Sequence, residues 1–381
     1  MQGQNPGKQT QNRIDPERTL ALIMLFFLIF EILLVTLTLA NALKSPVAQT
    51  QPPLGSEPIT PPDPGDPTVI PVFSGGVVPA MPLDGAGSVT LGSEVASANA
   101  ILVNVRTGEV LASKDPDEQF SPASLTKVMT LIVACEQIDR NCLQDRLTLT
   151  QELTDYVTTG SYYEASCSLI DGDKYLGDEF LIRDLLFGIG VESAADCTMM
   201  IAQYVCPAAT PAESEAAFVA LMNQKARQLN LDKTVFDNVI GHESQGNLST
   251  ARELAVITAY AMQSDLIAEI LGVTTHSYFG YYLKDGVPAT YPRLYQSTLF
   301  KSRMETYQRY TGTAFKLTSA KLTGGKTGSF VSTSYMTCTL RGSTTGEDFV
   351  LILGAAEKVG AMPASIGTMR DIKLISDTYV K

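Results

Sequence analysis

A serine and a lysine three positions apart, Ser124 and Lys127, are the pair in this sequence best suited to nucleophilic chemistry. They follow Pro122, and residues 123–136 repeat apolar side chains at helical spacing, which predicts a helix entered at the proline. Side chains three residues apart on a helix share one face and can touch. A serine hydroxyl needs a neighbouring base, and a lysine amine that burial holds neutral can be that base. Alone the pair is a weak signal, because Ser-x-x-Lys also occurs by chance.

The second chemical element is Lys326-Thr327-Gly328, at the end of a predicted strand. A cation and a hydroxyl presented there can hold a substrate carboxylate, and the glycine lets a substrate backbone approach the strand closely. The charge of Lys326 would also lower the pKa of Lys127 if the two amines meet in one cleft. Alone this motif is equally compatible with a simple turn.

The elements around these motifs place strands at both ends of the folded region and helices between them. The predicted strands are residues 98–105, 110–113, 319–327, 334–340 and 349–354, and the predicted helices are 123–136, 181–187, 193–205, 250–262 and 364–380. Thr250 and Glu253 have the spacing of a capping box at the start of one of these helices. This order predicts an α/β (α+β) fold in which one antiparallel sheet is flanked by helices.

Taken together and in this order, the motifs resemble the serine-type D-Ala-D-Ala carboxypeptidase family, the low-molecular-weight penicillin-binding proteins. The resemblance runs from about Ser93 to the C-terminus. It rests on Phe120-Ser121-Pro122-Ala123-Ser124-Leu125-Thr126-Lys127, Asp184-Leu185-Leu186-Phe187-Gly188, Ser249-Thr250-Ala251-Arg252-Glu253-Leu254 and Gly324-Gly325-Lys326-Thr327-Gly328. It implies the penicillin-binding/β-lactamase-like transpeptidase fold, an antiparallel sheet flanked by helices with a helical subregion that carries a middle motif.

The resemblance also implies a reaction on peptidoglycan stem peptides. Ser124 would attack the carbonyl between the last two D-alanines, with Lys127 as general base and Ser193 relaying a proton to the leaving amine. The substrate-binding set would be Lys326, Thr327, Gly328 and Ser329. In that set Lys326 and Thr327 hold the terminal carboxylate, and the backbone N–H of Ser329 forms an oxyanion hole with that of Ser124. β-Lactam antibiotics would acylate the same serine. No cofactor is implied, and two histidines without a Cys-x-x-Cys pair argue against a zinc site.

One departure from the family pattern concerns its middle motif, which is usually Ser-Gly-Asn. The matching stretch here is Ser193-Ala194-Ala195, so the asparagine amide is missing. Either a water or another side chain replaces it in a working enzyme, or the domain is a degenerate homologue that binds stem peptides or β-lactams with weak or no turnover. A β-lactamase is a third possibility, although the sequence reveals no glutamate loop to activate a deacylating water.

The N-terminal part predicts delivery to the outside of a membrane. Residues 19–40 form an apolar run interrupted only by Glu31, long enough to span a bilayer, and Lys8, Arg13 and Arg18 precede it. We expect residues 1–18 to be cytoplasmic and residues 19–42 to be a transmembrane anchor, or a signal peptide whose cleavage after Ala42 would release the protein. A proline-rich extracytoplasmic linker over 43–90 would then lead to the catalytic domain, 91–381.

The net charge and the cysteines limit the class of protein and the covalent links that the sequence allows. The formal net charge of -12 argues against a nucleic-acid-binding protein. Cys135 with Cys142, and Cys167 with Cys197 or Cys206, lie close enough in sequence to form disulfides, whereas we expect Cys338 to be a buried free thiol. From the resemblance we expect no separate C-terminal β-domain like that of many relatives, because about 53 residues follow Gly328 and the predicted strands and helix use them.

Overall fold

The computed structural model describes residues 61, 68–159, 162, 165–242, 246–358 and 362–381. The strands are β1 Leu83–Thr90, β2 Asn99–Asn104, β3 Glu109–Lys114, β4 Arg146–Thr148, β5 Glu179–Leu181, β6 Thr275–Lys284, β7 Val287–Gln296, β8 Ala320–Ser329, β9 Thr333–Gly342 and β10 Asp348–Glu357. The helices are α1 Thr126–Gln137, α2 Gln151–Thr158, α3 Ile182–Phe187, α4 Ala195–Val205, α5 Pro211–Gln228, α6 Ala251–Ala261, α7 Asp265–Gly272, α8 Met304–Thr311 and α9 Ala364–Tyr379.

Strands from the two ends of the folded region form one six-stranded sheet in the order β1-β3-β2-β10-β9-β8. All neighbours are antiparallel except β1 and β3, which are parallel. Alternation along β2 sends Ile101 and Val103 into one core and Ala100 and Leu102 into the other. Both faces are therefore apolar and need a covering layer.

Helices supply that layer on both faces. Helices α1 and α6 contribute apolar side chains to the first core, and α9 contributes Ile366, Met369, Ile372 and Ile375 to the second. The predicted α/β (α+β) class, with an antiparallel sheet flanked by helices, is confirmed. The five predicted strands are confirmed as β2, β3, β8, β9 and β10, each to within three residues at either end.

A second, four-stranded antiparallel sheet, β4-β5-β6-β7, was not predicted from the sequence. Its long hairpin pairs Thr275 with Gln296 at one end and Lys284 with Val287 at the other. Asp285 and Gly286 form its turn with positive φ angles of 53° and 80°, as a two-residue hairpin turn requires.

The N-terminal boundary of the folded region lies earlier than predicted. The amides of Val72 and Phe73 donate to the carbonyls of Ile138 and Cys135 at 2.9 and 2.8 Å, and β1 joins the sheet beside β3. The proline-rich composition of 43–90 predicts a solvated linker throughout, but residues 68–90 pack on the domain instead. The boundary at residue 91 therefore moves toward the N-terminus.

The predicted anchor or signal peptide, residues 19–42, lies outside the described residues, as do most of residues 43–67. Within the part of the chain that is described, no single helix is both long and apolar enough to cross a bilayer; α6 and α7 reach that level only as a bent pair.

Two local predictions need correction. Thr250 caps α6 by accepting from the amide of Glu253 at 3.1 Å, but the Glu253 carboxylate binds the Lys233 amide and the Thr234 hydroxyl instead of completing a capping box. All six cysteines are unpaired, so the disulfides suggested by sequence proximity are absent among the described residues. Cys338 is the buried free thiol that was predicted.

Candidate active site

Ser124 lies in a tight 3₁₀ turn, Ala123–Leu125, that leads directly into α1. The turn is closed by a hydrogen bond from the Leu125 amide to the Pro122 carbonyl at 3.1 Å, and Ala123 has a positive φ of 51°. The sequence predicted one helix from residue 123. The extra turn instead leaves Ser124 half-buried at the mouth of a cleft rather than on the side of a helix.

Two glycines allow other segments to pack against this turn. A Cβ on Gly241, whose φ is +73°, would lie 1.9 Å from the Ala123 carbonyl oxygen. A Cβ on Gly328 would lie 3.2 Å from the Ala123 Cβ and 3.1 Å from that of Tyr335. Gly328 therefore lets β8 lie against the turn, a packing reason for the glycine beside the predicted one of substrate access.

Lys127 lies on the first turn of α1 with its side chain almost wholly buried. Its Nζ is 3.2 Å from Ser124 Oγ and donates to the Ile240 carbonyl at 2.6 Å. Desolvation lowers the pKa of Lys127 to about 7, while the nearby Cys167 and Asp196 act in the opposite direction. A substantial share of the amine is therefore neutral near pH 7 and can accept the proton of the serine hydroxyl.

Lys326 is fully buried on β8, and its amine is hydrogen-bonded to another of the predicted site residues. Its Nζ donates to Ser193 Oγ and to the Thr327 carbonyl, each at 2.8 Å. Desolvation lowers the pKa of Lys326 well below its usual value, and the charges of Lys127 and Arg303 lower it further. Ser193 lies in the turn before α4 and has a left-handed φ of 66°.

A buried arginine lies beneath the far end of the Lys-Thr-Gly strand. Arg303 donates to Ser329 Oγ at 2.7 Å, to the Gly328 carbonyl at 3.3 Å and to Ser334 Oγ at 2.9 Å. All of these partners are neutral, and burial lowers the pKa of Arg303 to about 10. The Thr327 hydroxyl donates to Thr298 Oγ1 at 2.7 Å. The Arg303 guanidinium, protonated at neutral pH, thus lies behind this part of the cleft and favours an anionic group there.

These groups line a cleft of about 400 Å³. Its walls are Ser124, Lys127, Ala165, Ser166, Glu192, Ser193, Ile240, Gly241, His242, Thr298, Thr327, Gly328, Ser329, Phe330 and Val331. Six of the seven predicted site residues are in this set, and the seventh, Lys326, reaches it through its hydrogen bond to Ser193. The structure therefore brings all seven together, and their individual roles stay a prediction.

Other cleft groups carry no signal in the sequence. The Ile240 carbonyl is a backbone group, and Ser166, Glu192 and Thr298 belong to no recognisable motif. His242 lines the cleft, whereas His276 lies elsewhere, bonded to Asp184 at 2.7 Å and stacked on Phe187.

Comparisons with known proteins agree with this geometry. A family model described as D-alanyl-D-alanine carboxypeptidase matches residues 86–355, more than half of the chain. The D-alanyl-D-alanine carboxypeptidase DacF of Bacillus subtilis is 29% identical over 191 residues, which are 50% of this chain and 44% of that protein. DacC of Escherichia coli is 33% identical over 162 residues, which are 41% of this chain and 37% of that protein. The chain thus spans less than half the length of these relatives.

A solved structure carries the same fold. The crystal structure of a Streptomyces DD-transpeptidase superposes with a TM-score of 0.59 at 24% identity, covering 74% of this chain and 97% of that one. At this level of identity the likeness concerns the fold alone. The match to the family model, which spans the serine, the lysines and the strand that bears Lys326, decides the question of family: this chain belongs to the D-alanyl-D-alanine carboxypeptidase family.

Proposed function

We propose that the protein is a serine D-Ala-D-Ala carboxypeptidase that removes the terminal D-alanine of peptidoglycan stem peptides. The observation that carries this proposal is the buried Lys127 amine 3.2 Å from Ser124 Oγ, in a cleft also lined by Gly328, whose carbonyl accepts from the Arg303 guanidinium. A nucleophile, its base and a carboxylate site in one cleft meet the needs of acyl transfer at a C-terminal peptide bond.

In the first half of the reaction, Ser124 Oγ bonds to the carbonyl carbon of the penultimate D-alanine while its proton passes to the Lys127 amine. Backbone N–H groups of Ser124 and Ser329 hold the negative charge that develops on the carbonyl oxygen. The C–N bond then breaks as Ser193 gives its hydroxyl proton to the departing amine and takes the proton held by Lys127, so that Lys127 is neutral again. The products are free D-alanine and an ester on Ser124.

In the second half, water hydrolyses that ester. Lys127 accepts a proton from the water while the water oxygen attacks the acyl carbon. The bond between the acyl carbon and Ser124 Oγ then breaks, and Lys127 returns that proton to Oγ, which restores the serine hydroxyl. The acid product departs, and the enzyme returns to its starting state.

Substrate selection follows from charge at the far end of the cleft. Lys326 and Thr327 hold the terminal carboxylate, and the anion itself favours the charged form of Lys326 against desolvation and the neighbouring cations. Peptides with a blocked C-terminus lack that anion and are poor substrates. β-Lactams present a carboxylate beside a strained amide, so they acylate Ser124 in the same way.

We further propose that residues 19–42 hold the domain on the outer face of the cell membrane. The support is the apolar run of residues 19–40 with basic residues before it. Membrane fractionation with mass spectrometry of the mature N-terminus tests this: a soluble product beginning at Leu43 would mean release by signal cleavage after Ala42 and would overturn the anchor.

Fluorescent penicillin labelling tests the acyl-enzyme directly. We expect wild-type protein to form a covalent adduct and Ser124→Ala to form none. Ser332→Ala, an exposed serine in the turn between β8 and β9, is the matched control and should label like the wild type. Equal labelling of the wild type and Ser124→Ala would contradict the mechanism.

Turnover separates the remaining alternatives. Release of D-alanine from diacetyl-Lys-D-Ala-D-Ala supports the carboxypeptidase. A labelled protein that releases no D-alanine would be a degenerate binder, and rapid loss of the penicillin label without peptide turnover would identify a β-lactamase.

A further inference from the structure

The wall of the cleft opposite β8 lacks the polar group that the family's middle motif usually supplies. Ala195, in the asparagine position, is 1% exposed and offers only a methyl group. Its amide donates to the Ser166 carbonyl at 2.7 Å, so a neighbouring segment, residues 165–170, lies over it. The question is what this segment presents to the substrate.

The segment 165–170 is fixed by a buried carboxylate. Asp196, fully buried, accepts from the amides of Ser168, Leu169 and Ile170 at 2.9, 2.6 and 3.0 Å. Three hydrogen bonds to one charged group hold an irregular backbone firmly, because each amide would otherwise be left without its partner. The segment is therefore a rigid part of the wall.

Two further contacts hold the segment from the other side. Arg293 donates to the Ser168 carbonyl at 2.5 Å, and Ser168 Oγ donates to the Glu192 carboxylate at 2.6 Å. Glu192 immediately precedes Ser193, so residues 165–170 and the turn bearing Ser193 are locked together. Their spacing in the cleft is fixed before any substrate arrives.

Ser166 is exposed and lines the same cleft as Ser124, Lys127 and Ser193. Its hydroxyl makes no hydrogen bond within the described part of the chain, whereas its carbonyl is engaged by Ala195. A hydroxyl offers one donor and two acceptor positions, enough to bond a peptide group from either side. The thiol of the neighbouring Cys167 stays protonated near neutral pH, because burial raises its pKa to about 12.

We propose that Ser166 is a substrate-binding residue that takes over the role of the missing asparagine amide. This inference rests on the proposed function. The Ser166 hydroxyl bonds the peptide group on the acyl side of the scissile bond, and the same contact receives the acylamino side chain of a β-lactam. The ligands it selects are thus acyl-D-Ala-D-Ala peptides and β-lactams that carry a side-chain amide.

The test compares two β-lactams on purified protein. Benzylpenicillin carries the side-chain amide, and 6-aminopenicillanic acid lacks it. We expect Ser166→Ala to acylate about threefold to tenfold more slowly with benzylpenicillin, the size of one lost hydrogen bond, and to react with 6-aminopenicillanic acid at the wild-type rate. Ser166→Thr, which keeps the hydroxyl, should restore the benzylpenicillin rate, and Ser332→Ala should change neither rate.

A failure of the Ser166 role can be distinguished from a failure of the proposed function on which it rests. Equal rates for Ser166→Ala and wild type with benzylpenicillin, or an equal loss with both compounds, would overturn the role of Ser166 and leave the acyl-enzyme mechanism standing. A wild-type protein that neither compound acylates would overturn the proposed function and this inference with it.

Discussion

The two walls of the cleft are built in different ways. One wall, the motif wall, consists of β8 with the turn and helix over residues 123–137, and backbone hydrogen bonds of regular elements fix its geometry. The other, the loop wall, consists of residues 165–170, 188–196 and 237–242. It holds Ser193, Ser166 and the Ile240 carbonyl in the cleft, yet most of it is irregular.

Side chains replace the backbone ladder in the loop wall. Asp196 binds three amides of residues 168–170. Asn238 Oδ1 accepts from the Gly241 amide at 2.8 Å, and Asn247 Oδ1 accepts from the Asp237 amide at 2.7 Å. The comparison teaches that the nucleophile and its base sit at the start of a regular helix, while buried polar side chains shape the wall that holds Ser193 and receives the substrate.

The largest effect is expected from Lys127→Met, which removes the base from the motif wall and keeps the side-chain volume. General-base catalysis typically contributes about 10²- to 10⁴-fold, so the rate of penicillin acylation should fall by that factor. Stopped-flow or gel-based labelling rates provide the measurement. Lys321→Met, an exposed lysine on the same strand as Lys326, is the control, and a Lys127→Met rate within threefold of the wild type would contradict the assignment.

The same variant has a stability signature. Because the pKa of Lys127 in the folded protein, about 7, lies below its unfolded value of 10.5, the unfolded state binds more protons between these values. Wild-type stability should therefore rise as pH increases from about 7 to 10.5, the range set by these two pKa values. Thermal unfolding of Lys127→Met should show a weaker rise and a higher Tm at pH 7.

The contrast between the walls also marks what the sequence could predict. Ser124, Lys127 and Lys326 were predictable because their motifs, in order, resemble those of a known family, and the three-residue spacing at a helix start brings Ser124 and Lys127 together. The segment 165–170 was not, since its position over Ala195 depends on Asp196, a buried carboxylate some thirty residues away that has no periodic pattern. The absence of the amide at residue 195 was visible, but its replacement was not.

Two elements that were not predicted, the β6–β7 hairpin and helix α5, do have recognisable sequence signals. Asp285-Gly286 between two aromatic-rich runs is a strong hairpin signal, and Thr210-Pro211-Ala212-Glu213 completes the capping box that opens α5. Residues 68–90 were misassigned for a physical reason: prolines exclude most ladders and helices, but single amides between them, such as those of Val72 and Phe73, still dock on a folded surface.

A smaller and more specific effect on stability and on the pH–rate profile is expected from Asp196→Asn, which weakens the hydrogen bonds that hold the loop wall. The amide keeps an acceptor but loses the charge that holds three N–H groups, so the free energy of unfolding should fall by about 1–3 kcal/mol. Because Asp196 raises the pKa of Lys127, its neutralisation lowers that pKa further.

The acid limb of the pH–rate profile measures this change. In the wild type, kcat/KM should rise through about pH 7 as Lys127 loses its proton. In Asp196→Asn the limb should move to lower pH, while Asp232→Asn, at an exposed site, should leave both stability and limb unchanged. A limb that stays in place or moves to higher pH would show that Asp196 does not act on the base.

The smallest effect is expected from Glu215→Gln, behind the loop wall. The buried Glu215 carboxylate accepts from Tyr156 and Tyr162 at 2.6 Å each and from the Val239 amide at 3.0 Å, next to the carbonyl that holds Lys127. The glutamine keeps one acceptor oxygen, so about 1 kcal/mol of stability and a few-fold in acylation rate should be lost, with KM for the peptide little changed. Glu118→Gln, an exposed control, should show neither loss. A normal acylation rate together with a lower Tm would mean that Glu215 only stabilises the fold and that the loop wall positions Lys127 without it.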